Sequence, residues 1–248
     1  MKLKYRIFSL FIDRKKKREC HHVLMQFNSY YQGLHLNKKG IFVLRTLYFQ
    51  RFTRFSTEVG YSVSPEMKHL ISSAFVQITF GIGQDDLEYF NKIHITPKAY
   101  SYRNSTQLFH GDVNPMTKTV NLTWPVVKKG FEINDDGMNL AIHEFAHCII
   151  LENARRNYLV RNLNEEELKG WKSYSLKLLE KIRKGDNGLY RDYAGSNLME
   201  LFATSLEYFF EKPSELFSYD PEHYKRLCRL LKQDPRNSKD PTNLTIRE

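Results

Sequence analysis

Residues 135–156 read DDGMNLAIHEFAHCIILENARR, and the fold and the chemistry of the chain both turn on this stretch. Leu140, Ala141, Ile142, Phe145, Ala146, Ile149 and Ile150 recur at helical spacing, which predicts one amphipathic helix over 136–156. Residues four apart on a helix share a face, so His143 and His147 can direct ring nitrogens at the same metal ion. Glu144 follows the first histidine and is placed to reach a water on that metal without being a ligand. Zinc lowers the pKa of a bound water from about 15.7 toward about 7, and a carboxylate can take its proton as the hydroxide attacks a carbonyl. The pattern points to hydrolysis of peptide bonds. The alternative, a pair of core histidines, would bury two imidazoles and a carboxylate on an apolar helix, which is costly without partners.

A third ligand has to come from elsewhere in the chain. The segment YAGSNLMELFATSLEYFF, residues 193–210, carries Glu200 and Glu207 on a helix predicted over 196–211. Seven residues of helix separate the two by about 10.5 Å, so they share a stripe but cannot both bind one ion. Glu200 is the expected ligand, because it lies in the first turns beside Ser196 or Asn197 as cap, where the preceding loop also delivers Tyr193. Glu207 is then either a residue behind the ligands or a buried ion-pair partner.

Around these motifs, 248 residues with 41% hydrophobic and 27% charged content suffice for a buried core and argue against disorder. Three widely spaced cysteines, Cys20, Cys148 and Cys228, contain no CxxC, so neither a disulfide framework nor a thiolate zinc ribbon is expected. With no cleavable leader recognised in residues 1–18 and no uninterrupted apolar run of membrane-spanning length, the expected location is cytoplasmic and no membrane partner is expected. The formal charge of +10 and the run Arg14-Lys15-Lys16-Lys17-Arg18 suit either a solvated helix face or an anionic partner. No recognition helix, RNP pair or zinc-finger spacing accompanies the run, so no specific nucleic-acid partner is expected.

Helical patterns cover 13–31, 38–57 and a segment after Ser64-Pro65-Glu66 that ends at Gly81. Short strands are expected at 93–95, 107–109 and 119–124, followed by helices over 136–156, 164–183, 196–211 and 222–233. Strands followed by helices argue for an α+β fold. The expected organisation is a helical N-terminal part over 1–90, a catalytic core over 91–234 and a flexible tail over 235–248. The segment 120–124 is read either as an ordinary half-buried strand or as an edge that pairs with a peptide substrate.

Three blocks carry a family resemblance: GMNLAIHEFAH at 137–147, DYAGSNLMELFATSLEYFFEKPSELF at 192–217, and HYKRLCRLLKQDP at 223–235. VSPEMKHLISSAFVQITFGI at 63–82 and VNLTWPVVKKG at 120–130 extend it. The chain resembles the Mlc titration factor A (MtfA-type) zinc-dependent peptidases, gluzincins that are similar in this region to the catalytic domain of anthrax lethal factor. The resemblance implies a zincin-like core with one Zn2+ per chain held by His143, His147 and Glu200. It further implies Glu144 as general base and Tyr193 as hydrogen-bond donor to the developing oxyanion. It implies aminopeptidase-type activity on a peptide or protein substrate, with endopeptidase action as the variant. The rival reading it implies is a regulatory protein that sequesters a transcriptional repressor, with the zinc site secondary.

Overall fold

The computed structural model describes residues 3–103, 106–154, 163–185, 188–237 and 241, with the side chains of residues 3, 6, 192 and 193 outside the description. Its first fifty residues are helical: α1 (Leu3–Phe11), α2 (Arg14–Phe27), α3 (Ser29–Gly33) and α4 (Leu36–Phe52). The pattern over 13–31 is divided at Asn28, whose side chain accepts from the Tyr31 amide 2.8 Å away and so starts a new helix where α2 ends. The segment read as helical to residue 57 instead finishes in a strand, β1 (Arg54–Thr57). Helix α5 (Pro65–Thr79) starts at Ser64, whose hydroxyl accepts from the Met67 amide, with Pro65 in the first turn.

The sheet comprises β1, β2 (Lys92–Thr96), β3 (Gly111–Asn114) and β4 (Thr119–Thr123) in the order β1-β2-β4-β3. β1 pairs parallel with β2 and β2 parallel with β4, while β3 runs antiparallel to β4. Ile93, Ile95, Val120 and Leu122 alternate along the two central strands and are fully buried, so the two-residue period fixes which face meets the core. The strand expected at 107–109 is shifted: residue 109 makes only an isolated bridge to Tyr100, and the regular pairing begins at Gly111.

Helix α6 (Trp124–Glu132) follows β4 at once, with Pro125 in its first turn. Then come α7 (Leu140–Ala154), α8 (Glu165–Arg183), a 3-10 turn at Asp192–Gly195, α9 (Leu198–Glu211), α10 (Pro213–Tyr219) and α11 (Pro221–Leu231). One buried cluster runs through the N-terminal helices, the sheet and the C-terminal helices. At its centre Phe145 of α7 meets Phe75 of α5 and Phe49 of α4, with ring centroids 5.6 and 5.8 Å apart. Arg45 is buried where α4 meets the end of α5, donating to the carbonyls of Thr79 and Phe80 and pairing with Asp85 at 3.1 Å. α7 and α9 pack directly against each other, and α7 also touches β3 and β4. The fold is α+β with a zincin-like arrangement of a small sheet beside a helix pair.

Among the described residues, no helix is long and apolar enough to cross a membrane. Of the tail beyond 234, Arg236 lies over the Phe217 ring at 3.6 Å, and residues 238–240 and 242–248 fall outside the described residues.

Candidate metal centre

The two motif helices start on asparagine side chains. Asn139 precedes α7, and its Oδ1 accepts from the Ile142 amide at 3.2 Å. Its Nδ2 donates to the Gly130 carbonyl at 3.1 Å and to Glu211 at 3.2 Å, so the start of α7 is tied to both α6 and α9. Gly137 lies two residues earlier with φ +73°, a left-handed conformation that favours glycine, and the Tyr208 ring packs where a β-carbon would stand. Asn197 caps α9, accepting from the amides of Met199 and Glu200 at 2.8 and 3.1 Å.

With these ends fixed, the helix pair brings His143, His147 and Glu200 together. Nε2 of His143 lies 3.1 Å from Oε2 of Glu200, and Nε2 of His147 lies 3.5 Å from Oε1 of the same carboxylate. One ligand atom from each of the three residues lies within 4.8 Å of the others. A tetrahedral zinc with bonds near 2.1 Å sets its ligand atoms about 3.4 Å apart, so the spacing and the chemistry of the donors fit such an ion.

The surroundings of His143 match those of a ligand histidine. Its Nδ1 faces Oε2 of Glu207 at 3.3 Å, leaving Nε2 directed toward Glu200. Glu207 also accepts from the Asn139 amide at 2.8 Å and from Arg191 at 2.9 Å. Of the two roles left open for Glu207, the structure shows the buried ion-pair partner, of Arg191, and it also sets the carboxylate behind the His143 ring. Burial works against a charged His143 ring, but hydrogen bonds to Glu200 and Glu207 prevail and raise it to about 10. Burial likewise opposes the charge on Glu200, yet the two histidines hold its carboxyl down at about 2.

Glu144 is buried beside this group, and its Oε2 has no hydrogen-bond partner among the described residues. Burial pushes its carboxyl up to about 8, reinforced by Asp112, Glu200 and Glu207 and opposed by His143. Gly111 of β3 makes room for it, since a β-carbon there would stand 2.7 Å from Oε1 of Glu144. The Tyr193 backbone belongs to the 3-10 turn ahead of α9, and its side chain lies outside the described residues.

Residues 120–124 do not form a sheet edge. β4 is held between β2 and β3, and the edge beside α7 is β3. Cys148 is fully buried, pointing into packing as its place off the histidine stripe predicts. Arg191 and Asn139 were not among the residues singled out from the sequence. The signal for Asn139 is its place as a capping residue ahead of the motif helix, whereas Arg191 meets Glu207 only through the folding of the turn between them.

Comparison with known proteins agrees with the cluster. Proteins named Mlc titration factor A from Yersinia pestis (strain Pestoides F) and Yersinia pseudotuberculosis (serotype O:1b, strain IP 31758) are each 26% identical over 198 residues. The match covers 73% of this chain and 73% of each relative. A family model described as glucose-regulated metallo-peptidase M90 matches residues 9–232, a span that contains both histidines and Glu200. On that match, which covers most of the sequence, the chain belongs to the glucose-regulated metallo-peptidase M90 family.

Proposed function

We propose that the protein is a zinc-dependent peptidase in which His143, His147 and Glu200 hold the metal and Glu144 is the general base. The observation that carries this reading is the buried Oε2 of Glu144, unpartnered among the described residues, beside the His-His-Glu group. Zinc, when bound, supplies a Lewis acid that acidifies a water and polarises a carbonyl. Glu144 takes the proton of the attacking water and passes it to the leaving amine. Burial raises the proton affinity of the Glu144 carboxylate above that of an exposed glutamate, while the positive charge of a bound metal would oppose this and keep the group ionised to receive the proton. Tyr193 donates to the developing oxyanion, a role that its place in the turn leading into α9 supports. The edge of β3, with Gly111 against Glu144, offers main-chain groups to an extended peptide beside the base.

The reading extends to aminopeptidase-type specificity, carried by the resemblance, and to a cytoplasmic location, which the three buried and unpaired thiols support. Glu144→Gln tests the mechanism: the variant should lose peptide hydrolysis by at least about a hundredfold while keeping its metal. A wild-type rate in that variant would falsify the assignment. Acetylating the substrate's amino terminus should block cleavage by an aminopeptidase, whereas an endopeptidase would accept the blocked peptide.

A second reading is favoured by the relatives' printed name, which ties those proteins to titration of Mlc. On that reading the chain binds a regulatory protein, and the metal site is secondary to the contact. Partner capture by the Glu144→Gln variant separates the two, because binding should survive the loss of hydrolysis.

A further inference from the structure

The N-terminal helix shows apolar side chains on both of its faces. Its inner face is anchored: Tyr5 is buried and hydrogen-bonds to Asp85, and the rings of Tyr5 and Phe8 lie edge-on to Tyr48 at 5.9 and 5.2 Å. Its outer face carries Ile7, Leu10 and Phe11, which are 50%, 81% and 80% exposed. Spaced i, i+3 and i+4, these three form one stripe on the helix surface. Packing against the core does not account for a solvent-facing stripe of large apolar residues.

Basic groups follow at once. Arg14, Lys15, Lys16 and Arg18 on α2 are exposed, and the half-buried Lys17 donates to the Ser9 carbonyl at 2.8 Å, which ties the basic run to the end of α1. Within 13–19 only Asp13 and Glu19 offset the five cations. A cavity of about 590 Å³ opens between α1, α2 and α4, with Lys17, Arg18 and Lys39 in its wall and, among the described residues, no carboxylate lining it. Leu36, 81% exposed, stands at this cavity.

We propose that this face docks the protein on the surface of an anionic lipid bilayer, with Ile7, Leu10 and Phe11 entering the headgroup–acyl boundary and the Arg14–Arg18 run and the cavity cations contacting lipid phosphates. A surface-lying helix needs an apolar stripe beside cationic groups, and α1 with the start of α2 supplies both. At about 13.5 Å, α1 is far too short to span a bilayer, and lying flat is the arrangement its length allows. A second copy is a poor occupant, because joining two stripes would bring two RKKKR runs together. Nucleic acid would meet the cations but would leave the Leu10–Phe11 stripe in water.

The test is co-sedimentation of the full chain with vesicles of phosphatidylcholine alone or mixed with phosphatidylglycerol, in about 0.1 M salt. The wild type should bind the mixed vesicles and not the neutral ones. Leu10→Ser/Phe11→Ser and Lys15→Glu/Lys16→Glu should each weaken binding by about tenfold or more, with unchanged thermal melting. The proposal is overturned if the wild type leaves the anionic vesicles in solution. It is equally overturned if the serine variant binds as the wild type does, since the overall +10 charge would then suffice. Sedimentation equilibrium showing a dimer that the serine variant dissociates would assign the stripe to a second copy instead.

Discussion

Oε2 of Glu207 stands 3.3 Å from Nδ1 of His143 and 2.9 Å from the Arg191 guanidinium, so one buried carboxylate links the motif helix to the segment ahead of α9. A carboxylate behind a ligand imidazole fixes the ring's orientation and raises its basicity. Glu207→Gln keeps the shape but removes the charge, and metal affinity should fall about ten- to a hundredfold. Competition with a chromophoric chelator measures this, and unchanged affinity would remove Glu207 from the centre.

Metal removal should silence hydrolysis and leave the fold in place. His143, Glu200, Glu207 and Arg191 already pair with one another, so these four groups keep their partners without the metal. A metal at a hundred times its Kd adds about 2.7 kcal/mol, which for a chain of this size raises the melting temperature by about 5–10 °C. Melting with and without a chelator, followed by zinc add-back, checks both parts. Identical melting curves would show that the protein binds no metal.

Gly111→Ala places a methyl group 2.7 Å from Oε1 of Glu144 and 2.7 Å from Cδ1 of Leu140, both ends of side chains that can shift. The expected result is a fall in kcat of about tenfold or more from a displaced base. The melting temperature should change little. Wild-type kcat would mean that Glu144 does not need its present position.

Burial pushes the Glu211 carboxyl from the usual 4.5 up to about 8, with Glu207 and Asp136 adding to the rise while Asn139 and the Met138 amide oppose it. The folded state therefore holds this proton more tightly than the unfolded chain. The stability it contributes is complete below about 4.5 and is lost as pH rises through about 8. Glu211→Gln, which stays neutral, should be more stable than the wild type above pH 8 and nearly equal to it in acid. Urea titrations across pH decide this, and a constant difference between the two proteins would rule the linkage out.

Much of the architecture can be read in the sequence where local signals suffice. The helix over 164–183 is marked by Asn164 and three glutamates at one end and by Lys181 and Arg183 at the other, and α8 occupies Glu165–Arg183. The His143–His147 pair follows from spacing alone, and Glu200 from its place in the first turn of an apolar helix. What escapes is set by distant contacts. β1 is four residues, RFST, directly after a helix, and becomes a strand because β2 offers it a parallel edge. Pro125 looks like the end of a strand but serves as the first turn of α6. The Glu207–Arg191 pair depends on a turn whose path no local pattern encodes.

His147 and Glu200 belong to helices that pack on one another, while α8 and its flanking segments form the excursion between them. Within that excursion α8 buries Trp171 and packs against α9 and α11, and Arg191 near its far end pairs with Glu207. The connection between the two helices is therefore part of the core and not a tether laid over it. A change in its packed portion reaches the carboxylate behind the His143 ring, so the sequence of this stretch is free to vary only where those contacts are kept.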